Sequence, residues 1–173
     1  MIKHHPSNEL LVQFSEGNLP ATLSVAVAIH VEMCPVCQKQ LATLEAKNAN
    51  TAFEDIVNDD DICFDQIMFD NITSDESVDE VYDQPAIKVE VKDKEYTLPR
   101  ALTRIGHSSF MQIGKLARSR IALDDGALRA SLLHIDAGGE IPEHTHTGFE
   151  LTLLLDGEFS DEDGSYVPGD FMM

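Results

Sequence analysis

Basic residues are scarce in this chain. Its 173 residues hold 12 lysines and arginines against 31 aspartates and glutamates, a formal net charge of −19. Such a surface repels nucleic-acid phosphates and anionic lipid headgroups, so direct binding to either is not expected. It suits solubility and attraction to a basic partner protein. No apolar run reaches the roughly 20 residues of a membrane span. No charged-then-apolar leader precedes a cleavage site either, so the chain is expected in the cytoplasm. Tryptophan is absent, and the cysteines number only 3, an odd count that argues against a disulfide framework.

Two of those cysteines stand in the run His30-x3-Cys34-x2-Cys37. His30 and Cys34 are four apart and share one face of a helix. Pro35 follows Cys34 directly, and proline fits the first turn of a helix but not its interior. One helix is therefore expected to end near Cys34 and another to begin at Pro35, with Cys37 carried back toward the same point. A fourth ligand has to come from outside the junction, from His5 or its neighbour His4, with His5 preferred. Two imidazoles and two thiolates form a closed tetrahedral zinc set, structural rather than catalytic. A thioredoxin-like redox pair would need a strand before Cys-x-x-Cys, whereas the preceding residues read as helix. Two buried cysteines beside a capping histidine is the plainer alternative. Cys63, the third cysteine, lies among apolar residues and is expected to be a buried core thiol.

The chain divides by texture into an α+β protein of two domains. Residues 1–74 read as a small zinc-stapled helical bundle. Ser7 is a plausible N-cap for a helix through Leu10, Leu11 and Phe14, which the Gly17–Pro20 stretch ends. Leu23–Ile29 leads into His30, and Leu41 and Leu44 continue a helix after Pro35. A fourth short helix is expected over Ile62–Ile72, and an acidic linker over 75–85. Between residues 48 and 87 there is no lysine or arginine at all. From 86 to 173 the pattern turns to strands: 87–91, a turn over 92–95, a short strand from Tyr96, then 127–135 and 149–155, with glycine turns between. That texture predicts an antiparallel barrel or sandwich.

Within the β region lies Gly138-x5-His144-x-His146-x3-Glu150-x6-Gly157. His144 and His146, two apart on an extended chain, point to one side, and Glu150 adds a carboxylate. Two histidines and a carboxylate suit Zn, Fe, Mn, Ni or Cu, and spacing does not choose among them.

This run is similar to the first motif of the cupin family, and the N-terminal half resembles the zinc-binding anti-sigma domain, whose signature is a distant histidine plus His-x3-Cys-x2-Cys. Both together, in this order and over most of the chain, resemble the ChrR-type anti-sigma factors. The resemblance implies that the zinc domain binds an extracytoplasmic-function sigma factor and blocks its access to core RNA polymerase. It also implies that the cupin domain serves release under oxidative, singlet-oxygen-type stress. Carried across by motif, His5, His30, Cys34 and Cys37 are the zinc ligands. His144, His146 and Glu150 are those of a second divalent metal (Zn, Mn, Fe or Ni). Cupins place a further histidine beyond a turn like Pro168-Gly169-Asp170, but the sequence ends at Met173. The expected barrel is therefore incomplete at its C terminus, with open strand edges.

The expected function is sequestration, not catalysis. The alternative is a metal-dependent cupin enzyme of dioxygenase type with a helical appendage. No further acid, base or substrate-orienting cluster supports it, and the closed N-terminal site would have no purpose there. A plain zinc-stapled interaction module, indifferent to oxidants, is a third reading.

Overall fold

The computed structural model describes residues 1–57, 66–74, 86–140 and 148–173. The helices come first. In α1 (Asn8–Ser15) the Ser7 Oγ accepts the Leu10 N–H at 3.2 Å, the capping expected of a serine there. Gly17, at φ +71°, turns the chain away after it. Next, α2 (Ala21–Met33) follows Pro20, which offers no capping side chain. Its cap comes from far along the sequence: Asp125 Oδ2 accepts the Thr22 N–H at 2.7 Å. That bond, aided by Thr22, holds the Asp125 carboxyl below its usual range.

Cys34 separates α2 from α3 (Pro35–Val57). It takes an extended conformation, φ −115° and ψ 102°, because the following proline ring excludes the helical region for the residue before it. The two helices are bent by 117° at this break. A shorter helix, α4 (Gln66–Ser74), completes the helical part. Among the described residues no single helix is long and apolar enough to cross a membrane, and α2 with Pro35–Glu54 of α3 reaches that composition only across the bend.

The β region opens with a hairpin of β1 (Lys88–Val91) and β2 (Lys94–Thr97), paired from Lys88 with Thr97 to Val91 with Lys94. Lys92 and Asp93 both have positive φ, 52° and 63°, as a two-residue hairpin turn of the right twist requires. A 3-10 turn at Arg100–Leu102 packs on α2. An antiparallel sheet follows in the order β3 (Met111–Ile113), β4 (Leu116–Arg120), β5 (Ser131–Ile135). Finally β6 (Thr152–Leu153) pairs with β9 (Phe171–Met172), and β7 (Phe159–Ser160) with β8 (Ser165–Tyr166).

The order of helices then antiparallel strands is as expected, but among the described residues the sheets do not close into a barrel. The strand expected over 127–135 is paired only from Ser131, because Asp125–Leu128 forms a tight turn first. That expected over 149–155 is reduced to Thr152–Leu153. β3 and β4 were not foreseen. The fourth helix starts at Gln66; Ile62, Cys63 and the proposed linker 75–85 lie outside the described residues.

Helical and β residues share both cores. One cluster joins Leu11, Val27, Cys34 and Cys37 to Phe171 of β9. The other joins Ile29 to Val89, Leu98 and Leu102. α2 therefore sits between them, contributing Val27 to one and Ile29 to the other.

Candidate metal centre

Four donor side chains meet where α2 gives way to α3. His30 lies on the last full turn of α2, Cys34 is its C-terminal cap, and Cys37 lies on the first turn of α3. His5 reaches in from the segment before α1. Their ligand atoms all lie within 4.8 Å of one another. His30 Nε2 stands 3.3 Å from Cys37 Sγ, and His5 Nδ1 stands 3.4 Å from both Cys34 Sγ and Cys37 Sγ. A tetrahedral zinc with bonds of about 2.1 Å to nitrogen and 2.3 Å to sulfur has N···S edges of roughly 3.6 Å. The cluster has nearly those edges, and its donor set fits the ion.

The protonation chemistry points the same way. His30 is fully buried, and its Nδ1 lies 2.7 Å from the Gly169 carbonyl oxygen. A carbonyl only accepts, so Nδ1 carries the proton and Nε2 turns its lone pair toward Cys37. Burial lowers the His30 pKa; the Gly169 carbonyl and Asp170 oppose this, while His5 adds to it. The imidazole is thus held neutral, the form that ligates. Burial, followed by the Cys34 charge and a hydrogen bond with Cys34, pushes the Cys37 thiol up to about 11. Without a metal the buried Cys37 thiol stays protonated near neutrality, and a bound cation would displace that proton.

The geometry distinguishes the two N-terminal histidines. His5 enters the cluster, while His4 turns to Tyr166, with ring centroids 5.1 Å apart. Of the second expected ligand set, Glu150 is exposed just before β6, and His144 and His146 lie outside the described residues.

Two residues around the cluster carried no role in the sequence reading. Gly169 supplies the carbonyl to His30. Asp170, fully buried, accepts the Lys3 N–H at 2.6 Å and the His4 N–H at 2.9 Å on Oδ1, and the Val167 N–H at 2.9 Å on Oδ2. Burial alone would raise its pKa, but these backbone donors outweigh it and hold the carboxyl below its usual range. Pro168-Gly169-Asp170 was legible as a turn; nothing local in it signals a partner near the N terminus.

Comparison with known proteins bears on the chain as a whole. Residues 110–173 match the family described as the ChrR Cupin-like domain. The Anti-sigma-E factor ChrR of Cereibacter sphaeroides is 27% identical over 174 residues, covering 98% of this chain and 78% of that protein. The fold is similar to that in the crystal structure of Rhodobacter sphaeroides SigE in complex with the anti-sigma ChrR, with a TM-score of 0.67 at 23% identity, over 99% of this chain and 86% of that one. From its helical His-Cys cluster through its cupin-like β region, the chain is similar to the Anti-sigma-E factor ChrR along nearly its whole length.

Proposed function

We propose that this protein is an anti-sigma factor that sequesters an extracytoplasmic-function sigma factor and keeps it from core RNA polymerase. The observation that carries this is the match to an anti-sigma factor along 98% of the chain. In this reading His5, His30, Cys34 and Cys37 hold a structural zinc that keeps α1, α2 and α3 in the shape the partner recognises. Large apolar side chains stand exposed on α3 (Val36, Phe53) and α4 (Ile67, Phe69, Ile72), which supports a docking role for the helices. The net charge of −19 favours a basic partner, mainly by speeding and orienting encounter.

The reading divides the chain into a zinc anti-sigma domain (1–74), an acidic linker (75–85) and a cupin-like sensor domain (86–173). His144, His146 and Glu150 would hold a second divalent metal there, and the sensor domain would release the sigma factor under oxidative stress. The protein acts in the cytoplasm by binding, not catalysis.

Purified chain mixed with its cognate sigma factor is expected to co-elute with it and to inhibit its transcription in vitro. Failure of both would overturn the proposal. Replacing His144, His146 and Glu150 together in the intact protein is expected to abolish release by singlet oxygen while leaving inhibition intact. An unchanged response would remove the sensing role from the β region.

A further inference from the structure

The metal cluster is held from outside by the β region. Three of its four donors sit on α2, α3 and the break between them, where helix geometry fixes them. His5 has no such support: it is exposed and lies outside any helix or strand. What holds that segment is the turn between β8 and β9. One oxygen of Asp170 accepts both the Lys3 and the His4 N–H, directly before His5, while the other closes the turn on the Val167 N–H. The Phe171 N–H donates back to the His4 carbonyl at 3.0 Å. Gly169 meanwhile accepts from His30. Its position is tight: at φ +95°, an added Cβ would run into the Ile2 side chain and lie 3.6 Å from Met33 Cβ. The same turn is anchored in the sheet, since the Gly169 N–H donates to the Leu154 carbonyl at 2.8 Å and the Leu154 N–H to the Asp170 carbonyl at 3.2 Å.

We propose that the 167–171 turn is the outer support of the metal centre, with Gly169 positioning His30 and Asp170 positioning His5, so that metal binding and docking of the β region onto the helices form one coupled equilibrium. This rests on the reading of the four donors as a zinc site. Partners that orient ligands shift metal affinity because an imidazole aimed in advance loses less freedom on binding. Coupling of this kind is reciprocal: if docking of the turn tightens zinc, zinc tightens docking by the same factor. A disturbance at the β6–β9 ladder would then reach the zinc donors through two hydrogen-bonded paths, one to each histidine.

Two measurements on the full chain test this. Amide hydrogen exchange with and without zinc reads the coupling on the unsubstituted protein. The Lys3, His4, Val167 and Phe171 amides are expected to exchange at least about tenfold more slowly with zinc bound. Zinc affinity, measured by competition with a chromophoric chelator, is expected to fall about 10-fold or more in Asp170→Asn, and to stay unchanged in Lys92→Met, a substitution elsewhere in the β region. A turn that served stability alone would lower the melting temperature of Asp170→Asn equally with and without zinc; coupling makes the rise on adding zinc smaller in the variant. Zinc binding with no added protection at these four amides overturns the coupling, and decides the matter even if the variant does not fold. Failure of the unsubstituted chain to bind zinc would overturn the metal centre itself, and the coupling with it.

Discussion

Phe171 is the side chain through which β9 enters the helical core, and Phe171→Ala tests that junction. The ring is 4% exposed and packs with Leu11, Val27, Cys34 and Cys37. It also meets the His30 ring edge to face, with centroids 5.7 Å apart at 79°. Truncating a buried phenylalanine to alanine costs about 3–5 kcal/mol, from lost transfer energy and the cavity left behind. Leu11 and Val27 are held by their own helices, so the space should close poorly and the loss should fall in the upper part of that range. Against a total stability of about 5–15 kcal/mol, that is a large share. In a chain of this length each kcal/mol moves the midpoint by about 2–4 °C, so a drop of roughly 10 °C or more is expected. Urea unfolding followed by circular dichroism measures the free energy directly. Phe171→Leu should recover most of it, within about 1.5 kcal/mol of the parent. A loss below about 1 kcal/mol for the alanine variant would refute the burial of β9 against the helices.

Three other outcomes are expected. Chelation of zinc should lower the melting temperature of the folded chain, because an ion that binds only the folded state adds to its stability; metal analysis should find about one ion on the N-terminal donors beforehand, and an unchanged melting curve would count against the centre. Ser7→Ala should cost about 1 kcal/mol through the lost cap of α1, while Ser7→Asp should not, as read by thermal melting. The Asp136 pKa is depressed by its bond to Lys92, 2.5 Å away, and then by His134. The depressed value means that its contribution is present above the ordinary carboxylate range and is lost as pH falls through the folded pKa. Lys92→Met should return the Asp136 titration, followed by carboxyl-carbon NMR, toward the usual value and shrink the loss of stability on acidification.

What the sequence disclosed and what it withheld follow from the range of the forces involved. His30, Cys34 and Cys37 were legible as a cluster because helical period and the Pro35 break are local covalent facts. The preference for His5 over His4 had no such basis, since neither lies in a helix or strand whose period would aim it, and only the tertiary contacts choose. β4 was missed because its buried positions are Ala117 and Ser119, small and partly polar, while apolar Met111, Ile113 and Leu133 on the flanking strands are exposed. Hydrophobic alternation there runs opposite to burial. Asp125 and Asp170 were invisible as supports because their partners lie 103 and 166–167 residues away.

The cap that Asp125 lends to α2 bears on the order in which the protein matures. A chain leaving the ribosome exposes Ala21–Met33 long before Asp125 has been made. Until then the first turn of α2 has an unsatisfied N–H at Thr22, and the helix that carries His30 is free to fray. Synthesis at about 5–20 residues per second leaves a gap of several seconds before that carboxylate arrives. During those seconds the nascent thiols are exposed to oxidants and to competing metals, so correct metallation would fall late, after most of the β region has emerged.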